Sequence, residues 1–167
     1  MKIYLVGMTG AGKSTFGRQL ALKFKYPFLD LDEYIVSETN KTIPQIFEEG
    51  GENLFREIEK KYLYQASDNK IDIVIATGGG TPCFFDNMEF MNQQGSTIFL
   101  NISAKEIATR LAKANNEHRP MLQGKSANEI EQFITEKLAE RIKFYQESQV
   151  EILDPNINLE YLKGMLF

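Results

Sequence analysis

A phosphate-binding pattern stands near the start of the chain. Residues 7–14 read GMTGAGKS and match G-x-x-x-x-G-K-[ST], with an apolar run before them and helical spacing after them. Backbone N–H groups of such a turn converge on an anion, and the dipole of the following helix assists them. The lysine of the pattern reaches the β- and γ-phosphates, and its hydroxyl residue binds Mg²⁺. We predict that a nucleotide and its metal contact Gly10, Ala11, Gly12, Lys13, Ser14 and Thr15, with Ser14 on the metal.

Two acidic side chains follow a short apolar segment that predicts a strand. Asp30 and Asp32 come after Phe28 and Leu29, and their spacing puts both on one side of an extended chain. Because strands of open α/β sheets direct their carboxyl ends at the ligand crevice, the pair could hold Mg²⁺ or accept a proton from a substrate hydroxyl. The alternative is that one of them, Asp30 above all, only caps the next helix.

Consecutive glycines follow another predicted strand. Gly78, Gly79 and Gly80 come after Thr77, at the end of the apolar run 71–76. Glycines at a strand end let a substrate approach the backbone closely, because they have no side chain in the way. This strand takes the place of a Walker B strand but offers no acidic residue at its end. The segment is either a substrate-lining loop or a flexible turn.

A long helix carries a cation inside its apolar face. The spacing predicts a helix over about 127–148, and Arg141 falls between Ile130 and Ile134 on the apolar stripe. Since an unpaired buried cation is costly, Arg141 should reach a buried carboxylate or an anionic ligand, unless its head extends to solvent. Arg56, on an earlier helix, lies about 120° from the middle of the apolar face and could equally be a solvated flanking residue.

Further arginines occur in and before an aperiodic segment. Residues 113–125 contain Asn, Pro and Gly without clear periodicity, which indicates a mobile loop. Arg119 lies in this loop and is either a surface residue or one that closes over a transferred phosphoryl group. Arg110 lies on the helix that leads into the loop and faces either a nucleotide base or solvent.

Apolar runs alternate with helical periodicity along the chain. Runs at 2–6, 71–76, 97–102 and 149–153, with a shorter one at 28–29, predict an α/β fold with a parallel sheet. Thr42 and Gln45 form a capping box for a short helix that ends at Gly50 and Gly51, and another short helix is expected within 156–167. No internal repeat divides the chain, so we expect one domain over residues 1–167.

Composition argues against several classes of partner. The 167 residues include 19 basic and 23 acidic side chains, interspersed, so no basic stripe awaits a nucleic acid. No stretch approaches the ~20 apolar residues of a membrane span, so we expect a cytoplasmic protein without membrane contact. It should be a monomer, since no heptad or long exposed apolar stripe is evident. Cys83 and His118 are each single of their kind, which leaves no disulfide, metal cluster or triad, and Cys83 should be a packed or idle thiol.

Several ordered segments resemble the shikimate kinase family. They keep that family's order and approximate spacing over nearly all of residues 2–150 and read GMTGAGKST, FLDLDEYI, LFREIE, IATGGG, HRPML and ERIKFY. The resemblance implies ATP- and Mg²⁺-dependent phosphorylation of the 3-hydroxyl of shikimate, in the biosynthesis of chorismate and the aromatic amino acids. It implies a nucleoside-monophosphate-kinase-like P-loop fold of three layers, with a five-stranded parallel sheet in the order 2-3-1-4-5. It also implies a substrate-binding segment at about 33–60 and a lid at about 112–124.

The resemblance implies roles for residues on the shikimate side. Asp32 would bind and activate the 3-hydroxyl, and Asp30 would lie near Mg²⁺. Arg56 and Arg141 would hold the shikimate carboxylate, which suits them because guanidinium groups bind carboxylates bidentately. The ring would lie along residues 78–80, whose glycines would line it.

On the nucleotide side, the resemblance implies that charge and base are held by different residues. Lys13 and Arg119 would balance the charge of the transferring phosphoryl group. Residues 153–156, LDPN, correspond to the adenine-contacting segment of the family, which would put the base by Pro155 and Arg110.

Other classes of protein share the phosphate-binding pattern. A GTP-driven switch would use the N-K-x-D that residues 69–72 spell, but these residues precede a strand, whereas the guanine motif belongs after one. The D-x-x-G segment of such a switch is also missing after the phosphate-binding loop. Another small-molecule kinase of the same fold, for gluconate or a nucleoside monophosphate, is the closer alternative. The arginine pair and the glycine run favour a carboxylated ring.

Overall fold

A parallel sheet forms the centre of the molecule, of which the computed structural model describes residues 1–114, 122 and 124–166. Within these residues the sheet has the strand order β2-β3-β1-β4-β5, and all its pairings are parallel. The strands are β1 Lys2–Val6, β2 Phe28–Asp30, β3 Ile73–Ala76, β4 Ser96–Leu100 and β5 Val150–Ile152. The predicted α/β class and the strand order implied by the resemblance are confirmed.

Helices connect and flank the strands. In the described part of the chain they are α1 Lys13–Phe24, α2 Leu31–Thr39, α3 Ile43–Ser67, α4 Asn87–Gln94, α5 Ala104–Lys113, α6 Ala127–Tyr145 and α7 Leu159–Leu166. A 3₁₀ turn, Thr81–Cys83, follows the glycine run. None of the described helices combines the length and the apolar composition that crossing a membrane requires.

Local signals place most helix ends, with two refinements. The capping box of Thr42 and Gln45 is present, and the helix it starts is interrupted at Gly51 (φ 69°, ψ −165°) before α3 continues. Helix α6 ends at Tyr145 rather than at residue 148, because Glu147 and Ser148 donate turn bonds to the carbonyls of Phe144 and Tyr145. Turn bonds of this kind keep a helix-like spacing, which periodicity does not distinguish from a true helix.

The central strands bring the candidate residues to one edge of the sheet. Residues 3–6 of β1 are fully buried, since β1 lies between β3 and β4 in the middle of the sheet. In the strand register Ala76 pairs with both Leu5 and Asp30, so the ends of β1, β2 and β3 are level. The phosphate-binding loop, the acidic pair and the glycine run therefore meet at this edge.

Candidate active site

The phosphate-binding loop joins β1 to α1 in the expected geometry. Gly12 caps α1 with a left-handed backbone (φ 93°), a conformation that glycine adopts without strain. Gly7 is also at positive φ (138°), and a Cβ there would lie 2.8 Å from the carbonyl oxygen of Leu100. The loop is thus packed against β4. The start of α1 faces a cleft between the loop, the acidic pair and the glycine run, an arrangement suited to an anion.

Lys13 lies at the base of this cleft. Its ammonium donates to the carbonyl oxygens of Gly7 and Met8, at 2.8 Å each, and only 8% of the residue is exposed. The side chain therefore folds along the loop, and its charge stands where a bound polyphosphate would pass.

Ser14 and Asp30 lie in direct contact. The Ser14 hydroxyl donates to Oδ2 of Asp30 at 2.5 Å, while Oδ1 of Asp30 accepts from the backbone N–H groups of Asp32 and Glu33. Asp30 is consequently the N-cap of α2 as well as a neighbour of the loop, so the capping role and a place beside the phosphate site coexist. A hydroxyl and a carboxylate at this distance are oxygen donors of the kind that Mg²⁺ takes alongside water and phosphate.

Asp32 stands in the first turn of α2, and its side chain is exposed to the cleft that it lines. Protein atoms around the carboxylate limit its hydration and, with the nearby charges of Glu59 and Asp30, raise its pKa from 3.8 to about 6; Lys13 and Arg56 act in the opposite direction. A carboxylate with such a pKa is ionised at neutral pH and still takes up a proton readily, as a general base requires.

Arg56 is buried, contrary to the solvated position that its helical angle allowed. Its guanidinium donates to Oε2 of Glu59 at 2.7 Å and to Oε1 of Glu52 at 3.2 Å. One face lies over the Phe84 ring, 4.2 Å from its centroid. The solvated reading is wrong because the segment after the 3₁₀ turn covers this flank of α3, which the wheel of an isolated helix does not reveal.

Glu59 is a site residue that the sequence reasoning missed. It is fully buried and accepts from Arg56 and, at 2.6 Å, from the hydroxyl of Thr81. Spacing could have found it, because Glu59 lies four residues after Phe55 and three before Tyr62, both buried, and so carries a charge inside an apolar stripe.

Arg141 is half-buried beside the glycine run. Its Nη1 atom lies 3.8 Å from the Met8 sulfur, and a Cβ on Gly79 would lie 3.2 Å from the same nitrogen. Among residues 1–114, 122 and 124–166, no acidic side chain forms an ion pair with Arg141. The expectation that Arg141 pairs with a buried carboxylate is therefore not fulfilled within these residues.

The glycine run approaches both arginines. A Cβ on Gly80 would overlap with the Arg56 guanidinium, and one on Gly78 would lie 2.9 Å from Oε1 of Glu59 and 3.4 Å from Oδ1 of Asp32. Gly79 is equally confined, since a Cβ there would lie 2.7 Å from the Thr9 hydroxyl. These glycines allow charged side chains to approach the backbone closely, so the run is not a loose turn.

A cleft of about 340 Å³ unites most of the predicted residues. Its lining includes Gly10, Gly12, Lys13, Ser14, Thr15, Asp30, Asp32, Gly78, Gly79 and Arg110. A second cavity of about 350 Å³ adjoins it and is lined by Ala11, Gln19, Arg110, Pro155 and Asn156, among others. Arg110 donates to the Ala11 carbonyl at 3.2 Å and so faces the loop. Arg119 lies outside the described residues.

The sheet order and the loop geometry define a P-loop kinase of the nucleoside-monophosphate-kinase type. The family model described as shikimate kinase matches residues 9–161, so this chain belongs to the shikimate kinase family. A shikimate kinase from Bacteroides fragilis is 46% identical over 89% of this chain and 82% of its own length. The family's reaction uses ATP as the co-substrate.

Solved structures agree with this assignment. A crystal structure of shikimate kinase from Bacteroides thetaiotaomicron has a TM-score of 0.92 and 40% identity, covering 99% of this chain and 98% of that one. A shikimate kinase from Acinetobacter baumannii, in complex with shikimate, has a TM-score of 0.83 and 35% identity, covering 98% and 88%. Both the predicted family and the kinase activity are confirmed, and the alternatives of a GTP-driven switch or another small-molecule kinase are not favoured.

Proposed function

We propose that this protein transfers the γ-phosphoryl group of ATP to the 3-hydroxyl of shikimate, giving shikimate 3-phosphate and ADP. The observation that carries the proposal is the cleft in which Asp32 faces the loop lysine, Lys13, and the confined glycine run. The metabolic context is the biosynthesis of chorismate and the aromatic amino acids, in the cytoplasm. We propose a monomer of one domain, acting without nucleic acid or membrane as partner.

Asp32 is the residue that we assign to the acceptor hydroxyl. Its pKa of about 6 keeps it ionised at neutral pH, so it can accept the hydroxyl proton as the phosphoryl group arrives. A loose transition state needs little base assistance, and the same carboxylate then contributes mainly by holding the hydroxyl in line. Lys13, which lines the same cleft, stabilises the charge of the transferring group.

The two arginines differ in their ion pairing, and both guanidinium groups are suited to binding a carboxylate. Arg56 is oriented by Glu59 and Phe84, and part of its charge is offset by that ion pair. Arg141 has no acidic partner within the described residues and lies across the glycine run. Together they offer one position where guanidinium groups can bind a carboxylate, next to a backbone that a ring can approach.

Mg²⁺ fits the oxygen atoms of Ser14, in the first turn of α1, and Asp30, the N-cap of α2. These two residues would hold it, and the bound ion would neutralise phosphate charge. Among the described residues there is no group of three or more His, Cys, Asp or Glu side chains suited to a metal. A site with a single hydroxyl and a single carboxylate is typical of Mg²⁺ that also binds substrate phosphates and water.

The remaining roles concern the nucleotide base and the covering segments. The cavity that contains Arg110 and Pro155 supports adenine binding there. We assign substrate binding to about 33–60 and a lid to about 112–124, in which Arg119 closes on the phosphoryl group. If Arg119 acts in this way, Arg119→Ala will lower turnover by up to ~10³-fold while shikimate binding persists. Unchanged turnover would identify it as a surface residue.

A coupled assay for ADP release tests the function directly. With ATP and Mg²⁺, we expect turnover with shikimate and none with gluconate or nucleoside monophosphates, and the product should carry phosphate on the 3-oxygen by ³¹P and ¹H NMR. Chelation by EDTA should abolish turnover, and added Mg²⁺ should restore it. Preferred turnover of gluconate or a nucleotide would refute the proposal.

A further inference from the structure

The last residue of α6, Tyr145, lies beneath the glycine run. It is fully buried, and its hydroxyl donates to the carbonyl oxygen of Gly79 at 2.6 Å. Its ring packs on Phe99 of β4 with centroids 5.1 Å apart, which holds the phenol in one orientation. The hydroxyl therefore ties the middle of the glycine run to the end of α6.

Tyr145 follows Arg141 by one turn of α6, and Arg141 is the arginine that we assign to the shikimate carboxylate. Burial raises the pKa of the Tyr145 phenol well above its usual range, while the charge of Arg141 lowers it. The Met8 sulfur lies 3.5 Å from the phenol oxygen and 3.8 Å from Nη1 of Arg141. Arg141, Tyr145 and the first part of the phosphate-binding loop thus meet at one point.

Gly79 is held from both sides. In front of it, the Thr9 hydroxyl and Arg141 leave no room for a side chain. Behind it, Tyr145 supplies the donor for a carbonyl of a buried residue. If the donor is removed, the carbonyl lacks its partner and the run is free to shift toward or away from Arg141.

We propose that Tyr145 is a positioning residue for the carboxylate end of the shikimate site, acting through Gly79 and Arg141. The hydroxyl donates its proton to the Gly79 carbonyl, and the Met8 sulfur lies against both this hydroxyl and Nη1 of Arg141, so the phenol fixes the ring-lining backbone beside the guanidinium. Tyr145 does not itself contact the substrate. This inference rests on the proposed function, in which Arg141 binds the carboxylate.

The test is the removal of one oxygen atom from each of two buried tyrosines. Tyr145→Phe keeps the ring on Phe99 and deletes the hydroxyl. Tyr4→Phe is a matched control, because Tyr4 is also fully buried and its hydroxyl donates to Ser67, at the end of α3, at 2.8 Å. Steady-state kinetics with each substrate, shikimate calorimetry and thermal unfolding are measured on both variants and the parent.

We expect Tyr145→Phe to raise the KM and the Kd for shikimate by about 2- to 12-fold, the range of one ordinary hydrogen bond. The kcat and the KM for ATP should change by less than about 2-fold, since the positioning serves substrate binding rather than the transferring group. Tyr4→Phe should lower the unfolding temperature about as much as Tyr145→Phe does. Unlike Tyr145→Phe, it should leave both KM values unchanged.

The kinetic results distinguish a wrong role for Tyr145 from a wrong role for Arg141. If the shikimate KM is unchanged in Tyr145→Phe but raised in Arg141→Ala, the positioning role is overturned and the carboxylate site stands. If Arg141→Ala also leaves it unchanged, both are overturned. Equal increases in the two phenylalanine variants, or an increase confined to ATP, would attribute the effect to general loosening or to the phosphate-binding loop and would likewise overturn the inference.

Discussion

Arg56 and Glu59 form an ion pair that is almost wholly removed from solvent. Nη1 of Arg56 lies 2.7 Å from Oε2 of Glu59, and the two side chains are 9% and 1% exposed. The second oxygen of Glu59 accepts from Thr81, beside the glycine run. The guanidinium is therefore oriented by the protein before an anion arrives, and the same contacts contribute to both folding and binding.

This pair predicts different consequences for the two arginines. Arg141→Ala should raise the KM for shikimate roughly 10- to 150-fold, as for the loss of a charge-assisted hydrogen bond, with little change in stability. Arg56→Ala should weaken shikimate use similarly and also lower the free energy of unfolding by about 3–5 kcal/mol, because it leaves Glu59 buried without its cation. Urea unfolding and steady-state kinetics measure the two effects.

A charge-preserving variant separates them. Arg56→Lys keeps an ammonium for Glu59 but lacks the planar fork, so it should recover much of the stability and little of the shikimate affinity. ATP affinity by calorimetry should stay nearly constant in all these variants. A loss confined to ATP would contradict the assignment and move both arginines to the nucleotide side.

Asp32→Asn should keep ATP binding and lower turnover about 10²- to 10⁴-fold, the usual range for a positioned general base. The rate of the parent should fall below about pH 6, where the raised pKa leaves Asp32 protonated. The variant should lack this acidic limb. If rate and pH profile both match the parent, Asp32 serves α2 only as a residue of its first turn.

The same pKa predicts an effect of pH on stability. Because folding raises the pKa of Asp32, the folded state binds the Asp32 proton more tightly than the unfolded state does. The resulting contribution to the free energy of unfolding is complete below about pH 4 and is lost as the pH rises through about 6. The stability of Asp32→Asn minus that of the parent should therefore be larger at pH 8 than at pH 4. Thermal unfolding at several pH values checks the direction, and a constant difference would contradict it.

Gly80→Ala tests the close approach of Arg56 to the backbone. The backbone of Gly80 is in the right-handed region (φ −89°, ψ −14°), so alanine strains nothing locally, but its Cβ must displace the guanidinium. The KM for shikimate should rise at least about 10-fold. Gly164→Ala in α7 is the control, because no heavy atom lies within 4 Å of its Cβ, and it should leave kinetics unchanged.

Lys13→Ala should nearly abolish phosphoryl transfer, by at least about 10²-fold, because the transferring group loses a cation that would stabilise its charge. The carbonyls of Gly7 and Met8 lose donors as well, so a moderate loss of stability, about 1–3 kcal/mol, is expected beside it. Initial rates and urea unfolding measure both, and near-normal turnover would show that Lys13 has another role.

The features that the sequence predicts most accurately are those whose backbone conformation depends on neighbouring residues. The phosphate-binding loop is determined within a few residues, because glycines at positive φ and the start of α1 are encoded next to one another. The capping box at Thr42 and the break at Gly51 are local in the same sense. Apolar runs likewise predicted all five described strands, with ends that differ by at most two residues.

Burial of charged groups was decided by distant segments. Helical angle indicates which side of α3 carries Arg56, but not that Phe84 covers it or that Thr81 completes the contacts of Glu59. Likewise nothing adjacent to Tyr145 in the chain encodes its bond to Gly79. Periodicity reports orientation about one axis, whereas exposure depends on what packs there. Residue types and their spacing were therefore enough to predict a phosphate-binding site with acidic and basic side chains, whereas contacts between distant segments control which of those charges are paired, oriented and shielded from water.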